Sequence, residues 1–154
     1  MKIINKDITT ITSGVIIHST NCQGVMGSGV ALAIKTKWPK VEDRYQTFIA
    51  NFKARMRNNH IWSSEVLLGE TNHVKISKEL SVINLFGQEY YGRDGKRYTS
   101  YAAWERALPK IKGIALDRQI YFPYLVGCAL GGGDWRIISA MIEEYFPNAI
   151  FCKI

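Results

Sequence analysis

Three cysteines are all the sequence has, an odd number at wide spacing. That excludes a disulfide framework and fits a reducing compartment. None belongs to a C-x-x-C pair and no nearby His/Cys spacing completes a metal site, so the sequence asks for neither metal nor cofactor. No apolar run approaches the roughly 18 residues of a membrane span, and the opening MKIINKDITT lacks the apolar core of a secretory leader. A cytoplasmic protein with no membrane partner is expected. There is no internal repeat, low-complexity tract or linker, and 154 residues make one domain, 1–154. Disorder is excluded as well, with 47% of residues hydrophobic and 21% charged.

Positive charge is what the chain has in excess: 20 Lys and Arg against 13 Asp and Glu, a net +7. The excess is local. Residues 35–57 hold Lys35, Lys37, Lys40, Arg44, Lys53, Arg55 and Arg57 against Glu42 and Asp43, a net +5. In the same segment Val41, Tyr45, Phe48, Ile49 and Phe52 recur at helical steps, so a helix there buries an apolar stripe and leaves its bases in water. The patch is either a solvated helix face or a field that steers an anionic substrate or a polynucleotide.

Short apolar runs alternate with helical patterns, which predicts an α/β fold. Strands are expected at 2–5, 15–19, 65–68, 74–76, 81–86, 119–124 and 149–153, and helices at 29–37, 39–56, 98–112 and 134–146. Pro39 disfavours helical geometry at Trp38 and so marks a boundary. Asp134 fits an N-cap of the last helix. Residues 90–97, YYGRDGKR, carry Gly and Asp-Gly turn chemistry and read as an exposed loop.

Three segments that follow predicted strands can carry chemistry. Residues 21–30, NCQGVMGSGV, hold three glycines and then open a helix. Glycines let backbone N–H groups approach an anion, and a helix N-terminus adds partial positive charge. The Lys-Ser/Thr ending of a P-loop is missing, and the glycine spacing does not fit G-x-G-x-x-G. Residues 127–135, GCALGGGDW, repeat the arrangement. Three consecutive glycines cost folding entropy, and close approach to a ligand is the expected return. Two such junctions in one sheet converge on the carboxyl ends of its strands, where open α/β sheets bind ligands. The third segment is 6–10, where Asp7 either accepts hydrogen bonds from a base amino group or forms an Asx-turn.

Taken together, K-D-I-T, H-S-x-N-C-Q-G-x-M-G-S-G-V-A, N-L-F and P-x-x-x-G-C-A-L-G-G-G-D-W resemble a macrodomain over nearly the whole chain. The stand-alone group that includes ADP-ribose-1″-phosphate phosphatases is the nearest in pattern. The resemblance implies a three-layer α/β/α sandwich with a central mixed sheet and an ADP-ribose cleft across the strand ends. By the same resemblance, Asp7 and the Ile8 backbone hold adenine, and Asn21 bonds the distal ribose. Gly27, Ser28, Gly29 and Val30 line that ribose and a phosphate, and Phe86 borders the ribose. Gly127, Cys128, Ala129, Leu130 and Gly131 wrap the diphosphate. The chain departs from the carboxylate-deribosylating branch, having Gly131 where that branch has an acid. It also has Gly87, Gln88 and Glu89 where that branch and the DNA-deribosylating branch have a lysine. Ala129 stands where glycine is common.

Phosphomonoester hydrolysis needs an oriented water, charge stabilisation and a group that manages protons. His18 is the candidate proton carrier, or else a buried histidine at a strand end. Asp134 is a base or water-orienting group, or else only a cap. Asn21 is an amide that can both donate and accept toward a ribose diol. Tyr90, Tyr91, Trp62 and Trp135 are stacking candidates, and Trp104 belongs in the core. The leading expectation is an ADP-ribose-binding protein that hydrolyses ADP-ribose-1″-phosphate to ADP-ribose and phosphate. The alternatives are a non-catalytic reader or scavenger of ADP-ribose, or a hydrolase of ADP-ribosylated protein or nucleic acid.

Overall fold

In the computed structural model, residues 1–56 and 62–154 are described. Strands and helices alternate along them: β1 (Lys2–Asn5), β2 (Gly14–Thr20), α1 (Gly29–Lys37), α2 (Pro39–Met56), β3 (Thr71–Lys75), β4 (Leu80–Phe86), α3 (Tyr101–Ala115), β5 (Ile120–Pro123), α4 (Trp135–Tyr145) and β6 (Ile150–Lys153). The strands form one sheet in the order β1-β6-β5-β2-β4-β3. Only β3 runs antiparallel to its neighbour. This is the α/β fold that the alternation predicts, and the mixed three-layer α/β/α sandwich that the resemblance implies.

The two-residue period of a strand sorts side chains onto two faces. Val15, Ile17, Ile83, Leu85, Ile120 and Phe122 pack with Trp104, Leu108 and Ile111 of α3 and Ile138 and Ile142 of α4. Ile16, Val82 and Phe86 pack on the other face with Ile34 of α1 and with Val41, Tyr45 and Ile49 of α2. All residues of β4 are buried, as a parallel strand covered on both faces requires. Among the described residues no helix is long and apolar enough to cross a membrane.

Several boundaries differ from the sequence expectation. Residues 65–68 are not a strand: Ser64–Leu67 form one turn of 3-10 helix, which buries Leu67 before the Gly69 turn. β3 starts at Thr71, three residues before the predicted 74, because an edge strand facing one neighbour needs few apolar residues. α3 begins at Tyr101, not at 98, since Ser100 caps it by accepting from the Ala103 N–H. Tyr98 and Thr99 instead donate their N–H groups to the Gly131 carbonyl. Arg57 of the basic segment lies outside the described residues.

Topology makes the site. β2 and β5 are parallel neighbours, yet β2 leads to α1 on one face and β5 leads to α4 on the other. Chains diverging to opposite faces open a crevice at the carboxyl ends of those strands. At the opposite end Arg118 closes the sheet, donating to the Gly14 carbonyl at 2.9 Å, the Glu79 carbonyl at 3.0 Å and Ser81 Oγ at 3.2 Å.

Candidate functional site

The crevice holds a cavity of about 390 Å³, within the range of small-molecule sites. One wall comes from the end of β2 and the following loop, including Asn21, Gly27, Ser28, Gly29 and Val30. The facing wall is the segment after β5, with Tyr124, Leu125, Gly127, Ala129, Leu130 and Gly131. The third side is the loop after β4, through Gln88, Tyr91, Gly92 and Arg93.

The first wall ends in a helix start with no side-chain cap. Ser28 is the N-cap of α1 but makes no capping hydrogen bond, so the first-turn N–H groups of Gly29, Val30 and Ala31 lack side-chain partners at the cleft. Gly29 has φ +58°, and a Cβ there would meet nothing within 4 Å. The loop before it is braced from below. Asn21 donates from Nδ2 to the Val25 carbonyl at 2.8 Å and accepts on Oδ1 from the Gln23 N–H at 2.9 Å and from Tyr45 Oη at 2.9 Å. Tyr45 on α2 also accepts from the Gly24 N–H. Asn21 is thus largely spent on its own loop, with one Nδ2 hydrogen left to offer.

The second wall is a set of turns. The N–H groups of Val126, Cys128, Gly132 and Gly133 bond within the segment 123–133. Those of Ala129, Leu130 and Gly131 make no hydrogen bond among the described residues. Ala129 does not have a positive φ, so its methyl adds no backbone strain. The three glycines also make room for the chain itself. A Cβ on Gly131 would lie 2.6 Å from Thr99 Oγ1 and 2.7 Å from the Gly127 carbonyl, and one on Gly132 would lie 2.6 Å from the Lys96 carbonyl. Their small size is needed for the chain to pack against residues 96–99.

His18 borders the cleft and is buried. Asn84 donates from Nδ2 to Asn72 Oδ1 at 3.0 Å, so its Oδ1 accepts from His18 Nε2 at 2.6 Å. That fixes the tautomer and leaves Nδ1 as a lone-pair acceptor with no partner among the described residues. Burial pushes the imidazole down to about 4, against a smaller upward pull from Asn84. The ring is therefore neutral at pH 7.

Other predicted site residues stand elsewhere. Asp134 caps α4 by accepting from the Arg136 N–H at 2.9 Å, and pairs with the Arg136 guanidinium at 2.9 Å. Those hydrogen bonds lower its carboxyl below the usual range, and it does not line the cleft. Phe86 turns into the α1/α2 layer, 5.5 Å from the rings of both Tyr45 and Phe48. Cys128 packs toward the α3/α4 layer, donating to the Val126 carbonyl; burial raises its thiol to about 11. Asp7 caps the 3-10 turn Ile8–Thr10 by accepting from the Thr9 N–H, and Ile8 is buried; neither lines the cavity. Trp135 packs edge-on against Tyr124 and Phe151, and Trp62 lies under Lys53.

Neither a family model nor a curated protein sequence matches the chain. Solved structures do. A protein of unknown function from Bacteroides thetaiotaomicron has a TM-score of 0.78 at 26% identity, over 99% of this chain and 97% of that one. A macrodomain protein from Streptomyces coelicolor has a TM-score of 0.73 at 23% identity, over 99% and 97%. This chain has the macrodomain fold. Thermosipho africanus DarTG, solved in complex with ADP-ribose, has a TM-score of 0.72 at 16% identity, over 98% of this chain and 40% of that one.

On this macrodomain scaffold the position after β4 has no room for a long side chain. A Cβ on Gly87 would lie 2.6 Å from both Ser19 Oγ and Trp104 Nε1. The loop beyond it supplies cleft residues that the sequence pattern did not single out, Gln88 and Arg93 among them. Their signal was positional: the loop follows a strand that is parallel to β2, so it emerges at the same end of the sheet. Most of the basic segment, by contrast, is engaged by the protein itself. Lys35 pairs with Glu42 at 2.9 Å, Lys40 donates to the Lys75 carbonyl at 2.6 Å, and Lys53 and Arg55 lie over Trp62 and Phe52.

Proposed function

We propose that the cleft binds ADP-ribose. The observation that carries this reading is the uncapped start of α1 facing the free N–H groups of Ala129, Leu130 and Gly131 across the cavity. Two sets of unpaired amides, one at the positive end of a helix, suit the two phosphates of a diphosphate. Among the described residues no carboxylate lines the cavity to repel them. The adenosine then extends past Pro123 and Tyr124 toward Asp7, and the distal ribose sits by Asn21, below the loop after β4. Calorimetric titration with ADP-ribose should give one binding event per chain, and AMP should bind more weakly. A folded protein that gives no heat and no thermal shift with millimolar ADP-ribose would end this reading.

The finer reading is hydrolysis of ADP-ribose-1″-phosphate, and His18 supports it. The neutral ring borders the cleft, and its Nδ1, buried and without a partner among the described residues, is free to accept a proton from a water admitted beside it. Water attacks the phosphorus, Nδ1 accepts a proton from that water, and the bond from phosphorus to the C1″ oxygen breaks. The proton returns to that oxygen, giving ADP-ribose and phosphate. Asp134 has no part in this scheme, being held by α4 and Arg136. Loss of one proton carrier costs about 10²- to 10⁴-fold in rate, so His18→Ala should nearly abolish phosphate release while ADP-ribose still binds. Binding without release by the native chain would leave a reader of ADP-ribose.

A further inference from the structure

Arg93 is the one side chain lining the cleft, among the described residues, that carries a permanent charge. It makes no hydrogen bond or ion pair there, although an acid follows it directly in sequence. That acid is taken: Asp94 accepts from Tyr98 Oη at 2.8 Å and from the Lys96 N–H at 3.2 Å, and has Lys96 Nζ at 3.7 Å. Tyr98's hydroxyl holds the Asp94 carboxyl below its usual range.

The loop that carries Arg93 is tied at both ends. Gln88 Nε2 donates to the Tyr90 carbonyl at 2.9 Å. Tyr98 and Thr99 donate their N–H groups to the Gly131 carbonyl at 2.8 and 2.9 Å. Gly92 lies so close to Tyr98 that a Cβ there would stand 2.5 Å from the hydroxyl. A fixed loop thus holds an uncompensated guanidinium at the cleft.

Its place along the sheet says what it meets. The loop follows β4, on the far side of β2 from β5 and β1. With adenosine toward β1, the guanidinium stands over the distal ribose, where a substituent on C1″ leaves the cleft.

We infer that Arg93 is a specificity residue for a phosphate monoester on the distal ribose, favouring the 1″-phosphorylated ligand over ADP-ribose itself. This rests on the ADP-ribose reading of the cleft. A planar guanidinium donates two parallel hydrogen bonds to a phosphate, and such charge-assisted bonds are worth on the order of tenfold in affinity.

The test is calorimetry on the full chain with two ligands: ADP-ribose, and the methylene-phosphonate analogue of its 1″-phosphate, which has no cleavable P–O bond to the sugar. The native protein should prefer the phosphonate on the order of tenfold, and the preference should shrink as salt is raised. In Arg93→Gln the ratio of the two affinities should fall to about one, with Arg93→Lys in between. A ratio unchanged in Arg93→Gln, or a native protein with no preference, overturns the inference and leaves ADP-ribose binding intact. A native protein that binds neither ligand removes the functional reading and this inference together.

Discussion

At the junction between β2 and α1, a methyl group added to Gly29 would enter open space, and the helix start carries no side-chain cap. At the junction between β5 and α4, methyl groups on Gly131 and Gly132 would strike the carbonyls of Gly127 and Lys96, and Asp134 caps the helix. In sequence the two segments look alike, glycine-rich and opening a helix. In structure the first leaves its first-turn amides without side-chain partners. The second uses its glycines to fit against residues 96–99, and offers amides only earlier, at 129–131. Glycine in a strand–helix loop can thus answer a positive φ, as at Gly29, or a close approach of the chain itself, as at Gly131, and which one applies has to be read from the packing.

The comparison can be broken at several points. The largest effect is expected at Gly132, where φ is +69° and the two nearest atoms are the Lys96 carbonyl oxygen and the Arg97 Cα. Strain and overpacking together should make Gly132→Ala cost about 4 kcal/mol in urea unfolding. Gly29→Ala should cost only about 1 kcal/mol, from its φ alone. Equal losses would show that the open junction is packed after all.

Acid tests the strand that feeds the open junction. His18 titrates near 6.5 unfolded and about 4 folded, so between these values the unfolded chain binds the extra proton. The contribution is complete above pH 6.5 and is lost as pH falls toward 4, amounting to about 3 kcal/mol. His18→Gln should flatten that part of the profile of stability against pH. An unchanged slope would assign it to other groups; His73, exposed on β3 yet lowered chiefly by desolvation, is the first to test.

A smaller difference is expected between the helix starts. Asp134→Ala should lower the melting midpoint by a few degrees, because it removes the cap of α4. Ser28→Ala should leave the midpoint nearly unchanged, since no capping bond is lost. The reverse order would mean that α1 is capped in solution.

Much of the fold was legible because local rules decide it. Pro39 separates α1 from α2, and the Tyr45, Phe48 and Ile49 stripe marks the buried face of α2. β3 was misplaced because its residues contribute little apolar surface: Asn72 pairs with Asn84 across the strands, and only Val74 is buried. The start of α3 was misplaced because Tyr98 and Thr99 are held by Gly131, a contact more than thirty residues away along the chain. The site was legible as loops and not as side-chain roles. Asn21 stands out in the pattern as a ribose ligand, whereas the hydrogen bond from Tyr45, which the pattern places only on the buried stripe of α2, shows only in the structure. Arg93 reads as turn chemistry until β4 fixes where its loop emerges.

The sheet separates two apolar layers that share no helix, one under α1 and α2 and one under α3 and α4. The cleft lies on the seam, with one wall continuous with each layer. A molecule gripped by both walls is then a clasp across the sheet, and its binding free energy resists the opening of either layer. At a concentration one hundred times its dissociation constant it would add about 2.7 kcal/mol to global stability. The added protection from amide exchange would extend through α1 and α4 alike, so exchange kinetics could detect an occupied cleft from helices that the ligand touches only at their first turns.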